Sequence, residues 1–324
     1  MKKIKHSGSL LTIAVLAVIF VMIIFSQISL KERGENIGKH VSLIVYGDDS
    51  ERWENLRQGA ELVCKERNAD LGLMTMLTED DVSEQEDIIE RELDDGADAL
   101  IIAACNSGQI RDYILNKRLR IPVIFVETVN NVKEGVPFVA PDDYKMGYEL
   151  GEQIVKNESD IVTVAIISEN TDRDSVALRE KGLREAIDGK VGKVINWTKN
   201  GNERNAKTRM FIQRALVSEA TDVIVTFDNT STDALLDALT NLNQKSKVYC
   251  ISTSNKAVYS LYNGEVKALD YPNEFSMGYL AAMYALDGSN AKKIYSDKPV
   301  DHRIVRKENM YDKENQRLLF PFVN

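Results

Sequence analysis

The sequence predicts an α/β protein of two doubly wound parallel-sheet lobes behind an N-terminal transmembrane helix. Three observations predict it. Short β-rich runs alternate with amphipathic helical stretches from Val41 onward, the alternation recurs from Ile161, and the first 30 residues hold a long apolar run. Such alternation implies parallel strands covered by helices on both faces. Its recurrence implies two lobes, with a ligand cleft at the carboxyl ends of their strands.

Between Lys5 and Lys31 no residue is formally charged apart from the titratable His6, and Leu10 to Phe25 (LLTIAVLAVIFVMIIF) is almost wholly apolar. With Ser26 to Leu30 this is roughly the 20 residues that a helix needs to cross a bilayer. Lys2, Lys3 and Lys5 keep the N-terminus cytoplasmic, so the body is exported. A cleaved signal peptide is the rival reading, because the basic start fits one. Against it, the run is long, no small-x-small site follows, and the first cysteine is Cys64, too late for lipid attachment. Residues 1–30 are therefore expected as cytoplasmic tip and signal anchor, and 31–39 as a charged linker. The expected location is the cell membrane, single-pass, with the body extracytoplasmic.

Val41 to Tyr46 reads as the first strand. Gly47, Asp48 and Asp49 make a turn, Ser50 is an N-cap candidate, and Trp53, Leu56, Ala60, Val63 and Cys64 recur at helical spacing. Trp53, in the first helical turn, either reaches the cleft or covers the sheet edge. Next come a strand at Leu71 to Leu77, a helix from Ser83 to Asp95 capped by Ser83, a strand at Ala99 to Ala104, a helix from Gly108 to Leu119 and a strand at Pro122 to Val126. The second series runs through a strand at Ile161 to Ser168, a helix at Ser175 to Ile187 and a strand at Val194 to Trp197. A helix at Asn205 to Ser218, a strand at Val223 to Phe227, a helix at Ser231 to Leu242 and a strand at Val248 to Ser252 complete it. Residues 40–141 with 273–297 are expected as the first lobe and 142–272 as the second. Residues 298–324 are expected as a crossing strand and tail.

Composition narrows the function. The 324 residues carry 41 basic and 50 acidic side chains, and setting aside the three N-terminal lysines moves the formal charge from −9 to −12. An acidic body lacks the basic stripe that nucleic acid demands. Cys64, Cys105 and Cys250 lie in apolar contexts without CxxC spacing and read as buried small hydrophobes. No GxGxxG follows a strand, and GxxxxGK[ST], HExxH and GxSxG are absent. His6, His40 and His302 lie away from the expected cleft turns. No enzyme, cofactor or metal site is expected.

Several stretches resemble the type I periplasmic sugar-binding proteins related to ribose-binding protein and to the effector domains of LacI-type repressors. They are DDGADALIIAAC (Asp94 to Cys105), IPVIFVET (Ile121 to Thr128), VAPDDYKMGYELG (Val139 to Gly151), SVALREKGLREAI (Ser175 to Ile187), PNEFSMGYLA (Pro272 to Ala281) and IVRKEN (Ile304 to Asn309). The resemblance covers roughly Lys39 to Asn309 and implies the type I periplasmic-binding-protein fold. It also implies a sugar held in the cleft by aromatic stacking and by bonds from Asp, Asn, Arg and Gln. Carried over by position, Trp53 matches a stacking aromatic and Arg179 the arginine of the second lobe. Glu127 and Thr128 stand where an Asp-Arg pair is common, and Asp228 where Asn is common. Ser50 replaces an Asn, Arg52 a second aromatic, Ser252 an Asp, and Pro272 followed by Asn273 a Gln. These departures imply a different sugar or polyol, or a site that has decayed. For Arg179 the alternative is an exposed salt bridge with Glu180 or Glu185, and for Glu127 and Asp228 a solvated cleft rim.

No DNA-binding headpiece stands before the lobes. The resemblance therefore implies either a sensor that signals lobe closure to a membrane partner such as a histidine kinase, or the binding component of a sugar ABC transporter acting with its permease. Closure is expected as hinge rotation about crossings near Val139 to Asp142, Ser252 to Asn255 and Pro272 to Phe275.

Overall fold

The computed structural model describes residues 38–49, 51–129, 136–159, 161–199, 208–287 and 299–320. The expected transmembrane run and Ser50 lie outside them. Among the described residues no helix is long and apolar enough to cross a membrane.

The first sheet comprises β1 (His40–Ile44), β2 (Asp70–Met74), β3 (Ala99–Ile102), β4 (Val123–Val126) and β5 (Phe138–Val139), in the order β2-β1-β3-β4-β5. All its pairings are parallel. Its central strands are buried because helices cover both faces: all four residues of β3 are apolar and buried, as are Val41, Leu43 and Ile44 of β1, whose buried Ser42 donates to Glu92 at 2.8 Å. α1 (Glu54–Glu66), α2 (Val82–Asp94) and α3 (Ser107–Lys117) follow β1, β2 and β3.

The second sheet runs β11-β10-β9-β8-β6-β7. Its members are β6 (Thr163–Ile167), β7 (Lys193–Trp197), β8 (Val223–Thr226), β9 (Lys247–Ile251), β10 (Val266–Pro272) and β11 (His302–Val305). β11 is antiparallel to β10 at the sheet edge, and the other pairings are parallel. Its helices are α4 (Asp143–Asn157), α5 (Asp174–Ile187), α6 (Thr208–Ser218), α7 (Asn229–Leu242) and α8 (Asn255–Asn263). The C-terminal α10 (Lys313–Leu319) sets Leu319 into the same core.

Two helix pairs cross at glycines, one pair in each lobe. In the second lobe a Cβ on Gly147 of α4 would stand 1.8 Å from the Arg179 carbonyl oxygen of α5, and one on Gly182 would stand 2.0 Å from that of Tyr144. In the first lobe α1 meets α9 (Glu274–Asp287) in the same way, with a Gly278 Cβ 1.9 Å from the Leu56 carbonyl oxygen. At both crossings only glycine permits the backbones to touch. α9, although it follows the second sheet's strands, thereby belongs to the first lobe.

Three segments join the lobes: 140–142 between β5 and α4, Asn273 between β10 and α9, and 299–301 before β11. They lie side by side. Val300 N donates to Ala140 O at 3.0 Å, and Asn273 N donates to Asp301 O at 2.9 Å. The expected crossing at Ser252 to Asn255 is corrected, because that stretch links β9 to α8 within the second lobe. Beside these segments His302 Nδ1 lies 3.0 Å from both carboxylate oxygens of the fully buried Asp270.

Other expectations also shift. The strand expected at Leu71 to Leu77 ends at Met74, because Leu77 N and Thr78 N bond the Glu84 carboxylate at 2.6 and 3.0 Å and pull the chain off the ladder. Asp81, not Ser83, caps α2 by accepting from Glu84 N at 3.1 Å. Cys64, Cys105 and Cys250 are free and buried, and burial pushes the Cys64 and Cys105 thiols up to about 11.

Candidate functional site

Loops at the carboxyl ends of the strands of both sheets face one another across a cleft. From the first lobe come Tyr46, after β1, Glu79, in the loop after β2, and Glu127, after β4. From the second come Arg173, between β6 and α5, Asp228, after β8, and Thr253, after β9. An open cavity of about 930 Å³ forms the mouth of this cleft, bounded by Tyr46, Arg52 and Glu79 on one side and by Thr230, Asp233 and Thr253 on the other.

Behind the mouth the groups are charged and buried. Arg52 donates from Nη1 to Glu274 at 2.5 Å and from Nη2 to Glu127 at 3.1 Å. Burial opposes its charge, but Glu274 and Glu127 outweigh it and hold the Arg52 pKa above its usual value. Burial pushes the Glu274 carboxyl up against the pull of Arg52. Thr253 donates to Glu274 from the second lobe at 3.0 Å. Tyr46 donates its phenolic proton to Glu127 at 3.0 Å, and burial, reinforced by Glu127, pushes the phenol up. Glu127 adopts φ +61°, a left-handed conformation costly for a side chain of its size and one that clusters at ligand sites.

Arg179 donates from Nε to Asp143 at 2.7 Å and from Nη1 to the Phe227 carbonyl at 2.8 Å. It is 2% exposed. The expected alternative of an exposed bridge to Glu180 or Glu185 is thus corrected. Glu127 and Asp228 are likewise buried, at 5% exposure each, so neither is a solvated rim residue. Asp228 caps α7, accepting from Ser231 N at 2.7 Å and from Asn170 Nδ2 at 2.9 Å.

Trp53 is 1% exposed, with its indole N–H donating to the Tyr46 carbonyl at 3.1 Å. Its ring meets Tyr46 edge-on at 4.9 Å, and the Arg52 guanidinium lies 4.1 Å from its centroid. One face of the ring is therefore covered by Arg52, and Trp53 packs on Tyr46 while still lining the cavity. Thr128 works through its backbone, its carbonyl accepting from the Ser107 hydroxyl at 2.6 Å. Ser252 donates to Asn229 at 2.8 Å. Asn273 caps the start of α9, accepting from Ser276 N at 3.0 Å. The cavity is thus lined by Arg52 and Trp53, with Glu127, Arg179 and Asp228 buried around it, whereas Asn273 lies on a connecting segment.

Among the described residues, several buried polar atoms have no hydrogen-bond partner: Nε and Nη1 of Arg173, Nη2 of Arg179, Oε2 of Glu274, Oε2 of Glu180 and the hydroxyls of Ser175 and Ser231. Buried polar groups are normally paired, since leaving one bare costs about 1–3 kcal/mol. The guanidinium atoms are donors and the carboxylate oxygen is an acceptor. Tyr46, Glu79, Arg173 and Glu274 escaped the positional reading of the sequence. The topological rule could have found the first three, because each lies in a loop after a strand's carboxyl end.

A family profile described as the periplasmic binding protein domain matches residues 41–293. The chain belongs to this family. A D-ribose/D-allose-binding protein of Pseudomonas aeruginosa is 26% identical over 166 residues, covering 48% of this chain and 52% of the relative, so the chain spans about half the length of the curated relative it matches. The fold is shared with a solute-binding protein of an Agrobacterium vitis ABC transporter with bound D-fucose, at TM-score 0.74 and 15% identity, covering 87% of this chain and all of that one. It is also shared with the XylFII–LytSN complex, at TM-score 0.70 and 18% identity, covering 84% of this chain and 99% of that one.

Proposed function

We propose that this chain is a membrane-anchored extracytoplasmic solute-binding protein. It takes a sugar, polyol or related small polar solute between its lobes and signals closure to a membrane partner such as the sensor domain of a histidine kinase. The observation that carries the binding role is the set of buried, unpaired polar atoms on Arg173, Arg179 and Glu274, set where two hinged lobes meet. Such atoms suit reversible capture of hydroxyls. The apolar run at Leu10 to Phe25 supports the anchor, and the XylFII–LytSN complex, in which a protein of this fold is held by a second protein, supports the signalling role. Delivery to an ABC permease is the second reading, favoured by fold relatives that are ABC transporter solute-binding proteins.

Thermal-shift measurements on the detergent-solubilised full chain test the binding role, with D-ribose, D-allose, D-arabinose, D-fucose and myo-inositol as probes. A solute at about 100 times its dissociation constant should add roughly 2.7 kcal/mol of stability. A flat response to every probe would refute capture of this class of solute and leave a scaffold with a decayed site. Recovery of the protein from the soluble fraction with a new N-terminus near Ser26 would refute the anchor.

A further inference from the structure

Arg173 is 1% exposed, although it lies in the loop that leads into α5. Its guanidinium leaves the second lobe and settles on the first. The guanidinium carbon stands 3.7 Å from the Tyr46 ring centroid, and Nη2 donates to Glu79 at 2.9 Å. Thr230 of the second lobe donates to the same Glu79 oxygen at 2.9 Å. The flanking backbone is docked as well. Ser107 N donates to Asp172 O at 3.0 Å, Asp174 N to the Ser107 hydroxyl at 2.9 Å, and Ser175 N to Thr128 O at 3.3 Å. Segment 172–175 thus closes directly onto the first lobe.

Nε and Nη1 of Arg173 remain buried and unpaired. A guanidinium has five N–H donors in a rigid plane, so a position fixed by Tyr46 and Glu79 also fixes where the remaining donors point. Arg173 covers one face of Tyr46 and Arg52 covers one face of Trp53, which takes those aromatic faces away from a ligand's C–H surface. Recognition then depends on N–H donors meeting oxygen acceptors.

We infer that Arg173 is the residue that couples ligand to closure: one edge of its guanidinium clasps Tyr46 and Glu79 while its remaining N–H groups bond acceptor oxygens of the solute. This rests on the cleft-binding reading. Ligand binding and lobe contact share one rigid group, so losing the group weakens both together.

The test uses the full chain in detergent, with spin labels on Asp87→Cys in the first lobe and Asn241→Cys in the second, both exposed positions. The native cysteines are buried and stay unlabelled. Interlobe distances and affinities for the five probes are measured in the parent and in Arg173→Ala, Arg173→Lys and Glu79→Gln. Arg173→Ala should lengthen the ligand-free distance and weaken the best probe at least about tenfold, the loss expected for a hydrogen bond to a charged group. Arg173→Lys, which keeps a cation over Tyr46, should restore the distance but not the affinity. Glu79→Gln should lengthen the distance while Arg173 is intact. Unchanged affinity or unchanged distance in Arg173→Ala would overturn the coupling, as would full rescue of affinity by lysine. A parent that binds none of the probes overturns the cleft-binding reading and this inference together, whereas a parent that binds no better than Arg173→Ala overturns the inference alone.

Discussion

Replacing Gly147 with alanine drives a methyl group into the crossing of α4 and α5. The added Cβ would stand 1.8 Å from the Arg179 carbonyl oxygen, where contacts under 3.0 Å are essentially never found, so the helices must part by about 1.2 Å. The obstructing atom is backbone and cannot swing aside. Overpacking of this kind costs about 1–3 kcal/mol, and a gap approaching 1 Å forfeits up to half of the local dispersion energy. Alanine's better helix propensity returns about 1 kcal/mol. A net loss of up to about 2 kcal/mol corresponds to a melting temperature lower by up to roughly 4–8 °C, at about 2–4 °C per kcal/mol for a large domain. Gly108→Ala in α3 is the control, because its nearest heavy atom would be 3.8 Å away and only the propensity gain remains. It should melt at or slightly above the parent. Differential scanning fluorimetry reads both variants, and a Gly147→Ala protein as stable as the parent would refute the described crossing. The displaced carbonyl belongs to Arg179, so the same variant should also loosen the second lobe's side of the cleft.

Two further outcomes follow from buried charges. Arg179→Met removes the guanidinium partner of Asp143, which is 0% exposed, and should cost about 3–5 kcal/mol in urea unfolding, whereas adding Asp143→Leu should recover most of it; a single variant within about 1 kcal/mol of the parent would contradict the pairing. Burial opposes the charge on His302, but the Asp270 carboxylate wins and raises the imidazole pKa above 6.5. Its contribution to stability is therefore fully present below about pH 6.5 and lost as pH rises through the raised value. Burial raises Asp270 as well, so stability also falls as pH rises from its usual carboxylate pKa to the raised value. Thermal melts between pH 6 and 9 should decline more steeply for the parent than for His302→Gln, and parallel curves would sink this assignment.

The fold was largely legible in the sequence because its signals are local and periodic. Strand runs such as Ala99–Ile102 are continuous and apolar where both faces are covered, and the recurrence from Ile161 marks a second lobe. Element ends were less legible, since they depend on side-chain bonds made at a distance in sequence. Glu84 reaching back to Leu77 and Thr78 shortened β2, and no propensity announces that. Position located the cleft residues Arg52, Glu127, Arg179 and Asp228 but not their partners. Glu274 meets Arg52 across 222 residues and Arg173 meets Glu79 across 94, and such pairings exist only after the sheets are assembled. The covered face of Trp53 follows from its neighbour Arg52, whose side chain folds over the ring.

The glycine crossing of α1 with α9 also governs the order in which the molecule can be made. The five strands of the first lobe are complete in sequence by Val139, yet α9, which brings Met277, Ala281 and Ala282 into the same core, ends only at Asp287. At about 5–20 residues per second, translation separates those points by roughly 7–30 s. Throughout that interval the nascent first lobe lacks the helix that covers α1, while the second sheet's parallel strands emerge as one uninterrupted stretch. Both lobes are thus completed late, because β11 and α10 of the second follow α9 of the first, and premature termination after β10 would release a chain whose first lobe lacks its closing helix and whose second lobe lacks β11 and α10.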